Sequence, residues 1–226
     1  RQPAHRPENA RSDQPERDRL DAEEARFPYR TLGGGNSGEF FIGNGDQSCQ
    51  GVIGQRSWIV FYEIFQGGME MGPRALGARS ILASPARREV NDSINKRLQR
   101  TEFMPFAPVA TAERAADVFD ITKVNRRACR YMTIATDVRP DWRKRIAAVV
   151  HVDQSARPQV IERADNPLYH DIISGFEKAT GIAALVNTSF NVHEEPIVNK
   201  PAECARALTD GRIDFVVTDK ALYIRR

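Results

Sequence analysis

The chain has 226 residues, 41% of them hydrophobic and 28% charged, with a formal net charge of +3. That length suits one sizeable domain or two small ones, and the near-balanced charge excludes a protein that captures nucleic acid through its overall field. Cys49, Cys129 and Cys204 lie far apart with no C-x-x-C pair, and His5, His151, His170 and His193 lack metal-ligand spacing. Neither a disulfide framework nor a zinc site is therefore expected, and a reducing, cytoplasmic setting is. No apolar run approaches membrane-spanning length and no signal-peptide pattern opens the chain, so no membrane partner is expected. Arg1 rather than methionine comes first, which reads as a segment of a longer protein.

Residues 1–26 alternate charges with Pro3, Pro7 and Pro15 and hold Leu20 as their one large aliphatic side chain. They cannot bury enough apolar surface to offset the entropy of ordering, so a disordered or loosely helical tail is expected. Residues 27–56 are rich in glycine and asparagine, with a short strand conceivable at Phe40, Phe41 and Ile42. A flexible linker is preferred to a phosphate cradle at residues 33–38, because no strand-then-helix frame surrounds it. Residues 1–56 are thus read as disordered or linker-like, ahead of a domain at 57–226.

Residues 57–65 (SWIVFYEIF) have strand composition and run into residues 66–82, QGGMEMGPRALGARSIL. Here glycines bracket Arg74 and Arg79, and Ser80 follows. Glycine lets backbone N–H groups approach a ligand, and arginine offers a fixed fork of donors for phosphate or carboxylate. An anion-holding loop and an ordinary Gly-Pro turn both fit this spacing. Ser84 with Pro85 signals a helix start, and Val90, Ile94 and Leu98 make an apolar stripe four apart. Lys96 and Arg100 share a neighbouring face, either as a solvated basic surface or as cations sent towards the Arg74 loop.

Residues 103–110 (FMPFAPVA) hold two prolines among apolar residues and read as a buried connector or the start of an edge strand. A short helix capped by Thr111, a strand over 131–138 and a helical turn over 141–148 follow. Short strands are expected near 149–153 and 159–162. His151, Asp153, Arg157 and Gln159 then alternate on one strand face, with His151 and Asp153 as a buried structural pair. Arg157 has no local acid, which favours a functional role. Asn166-Pro167 opens a helix stopped by Gly181, and residues 182–186 (IAALV) form a buried strand ending in the polar cluster Asn187 to Asn191. Ligands bind at that edge of α/β sheets, although a plain capped turn also fits. A helix over 201–208 and strands at 214–218 and 222–225 complete an α/β fold, a mixed sheet flanked by helices.

Three stretches taken together are more specific: GGMEMGPRALGARSILASP, RTEFMPFAPV and HVDQSARPQV…NPLYHDII…LVNTSFNVHEEPIV. They resemble the C-terminal domain of the carbamoyltransferase family, which includes nodulation-factor enzymes and antibiotic O-carbamoyltransferases such as tobramycin carbamoyltransferase. The resemblance runs from about residue 58 to 226; residues up to about 56 do not share it. It implies a YrdC-like twisted mixed sheet that makes carbamoyl-adenylate from carbamoyl phosphate and ATP with Mg2+. It also implies a partner, a Kae1-like domain that holds metal through H-x-x-x-H and passes the carbamoyl group to the hydroxyl of a small-molecule acceptor. This chain contains no H-x-x-x-H. It resembles the adenylating half, with no metal site of its own, and a homodimer is compatible with it.

By motif, the resemblance assigns Arg74, Arg157 and Ser189 to catalysis. Arg79, Ser80, Lys96, Arg100, Asn187 and Asn191 would bind substrate or nucleotide. Preorganised cations and dipoles suit a step that crowds negative charge at a phosphoryl centre. The chain departs from the family at Gln99 and Met104, near positions held by basic residues in many members, and at Gly68. These departures keep a second reading open, a catalytically weakened nucleotide-binding or regulatory module. A third, an RNA-binding module, lacks an aromatic–basic motif.

Overall fold

Runs of β-branched and aromatic residues become strands, because a helix would restrict their side-chain rotamers. The computed structural model describes residues 29–32, 61–101 and 104–225. The expected tail at 1–26, the strand at Phe40, Phe41 and Ile42 and the linker at 33–56 lie outside the described residues. The strands are β1 (Tyr29–Leu32), β2 (Tyr62–Phe65), β3 (Arg79–Ala83), β4 (Ala107–Thr111), β5 (Thr136–Asp137), β6 (Ser155–Ala156), β7 (Gln159–Ile161), β8 (Leu185–Ser189), β9 (Phe215–Val217) and β10 (Leu222–Arg225). Eight of them form one sheet in the order β1-β10-β9-β2-β3-β8-β4-β7, and β5 pairs with β6 apart from it. β2 with β9 and β4 with β7 run parallel, and the other ladders are antiparallel. This is the mixed sheet read from the sequence.

The helices are α1 (Glu89–Arg97), α2 (Ala115–Val118), α3 (Arg126–Cys129), α4 (Pro140–Arg143), α5 (Pro167–Thr180) and α6 (Pro201–Thr209). Strand alternation sends Ile81 to one face of the sheet and Leu82 to the other. On the first face Val90, Ile94 and Leu98 of the α1 stripe join Cys204, Ala207 and Leu208 of α6 over Phe61 and Ile81. On the second, Leu168, Tyr169, Ile172 and Ile173 of α5 cover Ile64, Leu82, Val109 and Leu185. α5 is bounded as its sequence directs: Asn166 accepts from Tyr169 N at 3.0 Å, Pro167 opens the first turn, and Gly181 ends it at φ 72°. Among the described residues no helix is long and apolar enough to cross a membrane.

Several local readings shift. Ser84 and Pro85 do not open α1; it begins at Glu89, because Pro85 O is engaged by Ala148 N at 2.9 Å as the chain leaves β3. β4 is an interior strand rather than an edge. Pro108 is tolerated there because the β7 ladder starts only at Val109. The strand expected over 131–138 contracts to Thr136–Asp137, after helix α3. The strand expected near 149–153 is a turn, with Gln154 at φ 70°. His151, Asp153, Arg157 and Gln159 therefore do not share one strand face. The strand expected at 182–186 is displaced to Leu185–Ser189, which takes Asn187 and Thr188 into the sheet. Tyr29–Leu32, in the stretch read as a linker, pairs with β10.

One edge of the sheet collects the ends of five strands. Phe65 at the end of β2 stands opposite Arg79 at the start of β3, and Ser80 stands opposite Ser189 at the end of β8. Ala107 at the start of β4 pairs with Asn187, and Gln159 at the start of β7 lies beside Val109. Arg157 precedes Gln159, so the loop after β2, the end of β8 and the lead into β7 meet at this edge.

Candidate functional site

The loop between β2 and β3, residues 66–78, is shaped by its own carboxylate. Glu70 Oε1 accepts from Leu76 N at 2.8 Å, and Oε2 accepts from Arg79 N at 2.9 Å. Arg79 is 2% exposed and directed into the fold, which corrects its expected place among ligand-binding residues. It donates to Gln66 O at 2.7 Å, Ala78 O at 2.9 Å and Gly67 O at 3.3 Å, and its guanidinium carbon lies 3.7 Å from the centre of the Phe65 ring. It pins the loop to the strands it joins. Ser80 is also fully buried, on the face covered by Tyr169, so it too is corrected from ligand contact to core.

Beneath the loop lies a buried polar platform. Asn187 Nδ2 donates to Ala75 O at 3.0 Å and to Gln159 Oε1 at 2.6 Å, and Gln159 Nε2 donates to Leu76 O at 2.8 Å. Gln66 Nε2 and Asn166 Nδ2 donate to Gly77 O at 2.9 and 3.2 Å. The Tyr169 hydroxyl donates to Gln159 Oε1 at 3.3 Å. Three successive loop carbonyls are thereby fixed on β7, β8 and α5. Burial, then the negative charge of Glu70, holds the Tyr169 phenol well above its usual range. Asn187 thus carries the loop from below.

The loop presents Arg74 outward. Arg74 is exposed, and its Nη1 reaches its own Pro73 O at 3.3 Å. Across the edge, Arg100 beyond α1 organises the end of β8. Its Nη1 donates to Thr188 Oγ1 at 2.8 Å, and its Nη2 donates to Ser189 O at 2.7 Å and to Asn191 O at 2.8 Å. Asn191 Oδ1 also accepts from Arg100 and from Ser189 Oγ at 2.6 Å. The structure therefore brings Arg100, Ser189 and Asn191 together, and sets Arg74 on the loop anchored by Asn187. Arg157 is half-buried where the chain enters β7. Lys96 is exposed on α1 and, among the described residues, bonds none of these side chains. Arg97, its neighbour, pairs with Asp214 at 3.0 Å and stacks on Phe61 instead.

On the opposite face, Glu63 is fully buried and accepts from Cys204 Sγ at 3.0 Å. Burial drives its carboxyl well above the usual range, against the Cys204 hydrogen bond and the Arg79 charge. Arg79 is lowered by its own burial, with Glu63 and Glu70 opposing.

Sequence reasoning missed Glu70 as the carboxylate that folds the loop, and Tyr169 and Gln66 as its supports. An acid inside a glycine-rich segment was the available signal for Glu70. Tyr169, in the helix opened by Asn166-Pro167, carried none.

This edge thus carries an exposed guanidinium at Arg74, a half-buried one at Arg157 and the hydrogen-bonded end of β8 at Ser189. The family described as Carbamoyltransferase C-terminus matches residues 59–225. An uncharacterized protein of Methanocaldococcus jannaschii is 35% identical over 164 residues, covering 72% of this chain and 26% of that protein. Nodulation protein NolO of Bradyrhizobium diazoefficiens is 38% identical over 162 residues, covering 71% of this chain and 29% of NolO. The chain thus spans little more than a quarter of the length of these relatives. Full-length HypF, in a structure described as its phosphate- and nucleotide-bound form, shares the fold at a TM-score of 0.50 and 17% identity, over 72% of this chain and 23% of HypF.

Proposed function

The chain belongs to the carbamoyltransferase C-terminal family, and from that premise we propose that it activates a carbamoyl group for transfer to a hydroxyl. Carbamoyl phosphate and ATP are the substrates, and Mg2+ arrives chelated by the nucleotide phosphates. Water releases phosphate from carbamoyl phosphate. A carbamate oxygen then attacks the α-phosphorus of ATP, the bond to the β-phosphate bridge breaks, and pyrophosphate leaves with that electron pair. Carbamoyl-adenylate is the product, and the acceptor reaction belongs to a Kae1-like metal-binding domain outside this chain. The acceptor is a small molecule such as a sugar or natural product.

The observation that carries this reading is the meeting of the 66–78 loop, Arg157 and Ser189 at one sheet edge. Both substrates are polyanions, and no side chain need act as nucleophile. Arg74, exposed and on an anchored loop, supplies a movable cation to the phosphates. Arg157 supplies a second cation. Ser189, at the strand end that Arg100 holds in place, turns its hydroxyl from Asn191 to the nucleotide phosphate or the carbamoyl group. A preorganised set of this kind stabilises charge that develops at phosphorus without solvent reorganisation.

Carbamoyl-phosphate-dependent release of pyrophosphate from ATP tests the proposal, with Arg74→Ala expected to abolish it. A chain that binds neither ATP nor carbamoyl phosphate by calorimetry sinks it. A second reading, a nucleotide-binding module with weakened catalysis, draws on Met104, which is 53% exposed near the entry to β4. ATP binding without pyrophosphate release, even with the partner domain added, selects that reading.

A further inference from the structure

The turn before β6 holds a hydrogen-bonded relay that the proposed reaction does not yet use. Its backbone closes through His151 N to Ser155 O at 2.8 Å and Gln154 N to His151 O at 3.0 Å. Inside it, the Ser155 hydroxyl donates to Asp153 Oδ1 at 2.7 Å, and Ser155 N donates to the same oxygen at 3.0 Å. His151 Nδ1 lies 2.9 Å from Ser155 Oγ. A serine hydroxyl has one proton. The carboxylate is its stronger acceptor, so the Ser155 proton goes to Asp153. Ser155 Oγ must then accept, and the proton between Ser155 and His151 belongs to Nδ1. Neutral imidazole with Nδ1–H carries a lone pair at Nε2, across the ring and away from the turn. Among the described residues, nothing hydrogen-bonds that nitrogen.

The surroundings keep the ring neutral. Burial lowers the His151 pKa first, and the Arg157 charge lowers it further, while Asp153 opposes them. The two Ser155 bonds hold Asp153 below the usual carboxylate range and so keep it the acceptor. Arg157 stands two residues after Ser155, at the sheet edge assigned to the substrates.

A carbamoyl group differs from its nearest isosteres by one feature. Its NH2 donates, where an acetyl methyl does nothing and a carboxyl oxygen accepts. Cations hold its oxygens equally well in all three. Discrimination needs an acceptor beside those cations, and a neutral imidazole lone pair next to Arg157 is one. We propose that His151, held as the Nδ1–H form by Ser155 and Asp153, is a specificity-determining residue whose Nε2 accepts the carbamoyl NH2. This rests on the carbamoyl-activating reading above.

The test uses the full 226-residue chain and compares carbamoyl phosphate with acetyl phosphate by calorimetry. The wild type is expected to prefer carbamoyl phosphate by about tenfold, the scale of one matched polar contact in a site built for it. His151→Leu should erase that preference and leave acetyl phosphate affinity within about twofold, whereas His151→Gln, which keeps an acceptor near the Nε2 position, should retain part of it. Ser155→Ala, a smaller change to the fold, should weaken the preference by releasing the ring. Side-chain 15N spectra near neutral pH should show His151 as Nδ1–H. A protonated Nε2 in those spectra, equal weakening of both ligands in His151→Leu, or a wild type that binds carbamoyl phosphate without preference overturns the assignment alone. A wild type that binds neither compound overturns the carbamoyl-activating reading itself.

Discussion

Replacing Gly77 by alanine puts the anchoring of the loop to a quantitative test. Gly77 has φ +122°, and a Cβ there would lie 2.3 Å from Tyr169 Cδ1, 2.7 Å from Cε1 and 2.9 Å from Cγ. Carbon atoms pack at about 3.5–4.0 Å, so the ring or the loop must move by an ångström or more. The ring has no room to yield, because Tyr169 is fully buried and its hydroxyl is tied to Gln159. A side chain in that backbone region costs about 1–3 kcal/mol, and overpacking costs about 1–3 kcal/mol more. Gly77→Ala should therefore lose about 2–6 kcal/mol in urea unfolding, a large share of the about 5–15 kcal/mol that holds an ordinary domain. Tyr169→Leu in the same background separates the two costs. The double mutant should recover the packing part, and the backbone part should persist. The loop should also lift from Asn187 and Gln159, taking Arg74 out of register and weakening carbamoyl phosphate binding. A loss below about 1 kcal/mol for the single substitution would mean that loop and helix do not meet at Tyr169.

Three further substitutions probe the supports. Glu70→Gln replaces an oxygen that accepts from Leu76 N or Arg79 N with an amide that cannot accept, leaving one N–H unpaired at a cost of about 1–3 kcal/mol; faster amide exchange across residues 70–79 checks it, and unchanged exchange denies the clamp. Arg100→Lys keeps the charge but cannot span Thr188, Ser189 and Asn191 at once; the end of β8 should lose exchange protection, with a stability loss of about 1–3 kcal/mol in unfolding. Glu63→Gln tests a sign. The folded pKa of Glu63 is raised by burial, so its contribution is fully present below the unfolded pKa and is lost as pH rises towards the folded value. The glutamine variant should gain on the wild type as pH rises above about 4.5, by about 1.4 kcal/mol per pH unit while the folded carboxyl stays protonated. A variant that instead falls behind as pH rises would show Glu63 ionised and paired with Arg79.

Local chemistry made much of this protein legible in one dimension. The Val90, Ile94 and Leu98 stripe, the Asn166–Pro167 start and Gly181 stop of α5, and the strand character of residues 222–225 follow from periodicity and caps that act over a few residues. The motifs around Arg74, Arg157 and Ser189 likewise point to one family. What a side chain does once its strand joins a sheet was not legible there. Arg79 and Ser80 stand within a loop motif that reads as ligand-binding, but strand pairing with β2 and β8 buries both. Asn187 reads as a strand-end ligand and becomes a support, because β8 begins later than its apolar run suggests. Glu70, Tyr169 and Gln159 are scattered through the chain and gain meaning only where the sheet edge brings them under one loop. From one dimension come the family, the bounds of α5 and the charges available to the site. The tertiary structure alone decided which of those charges face solvent and which hold the loop, since that depends on strand register and on neighbours distant along the chain.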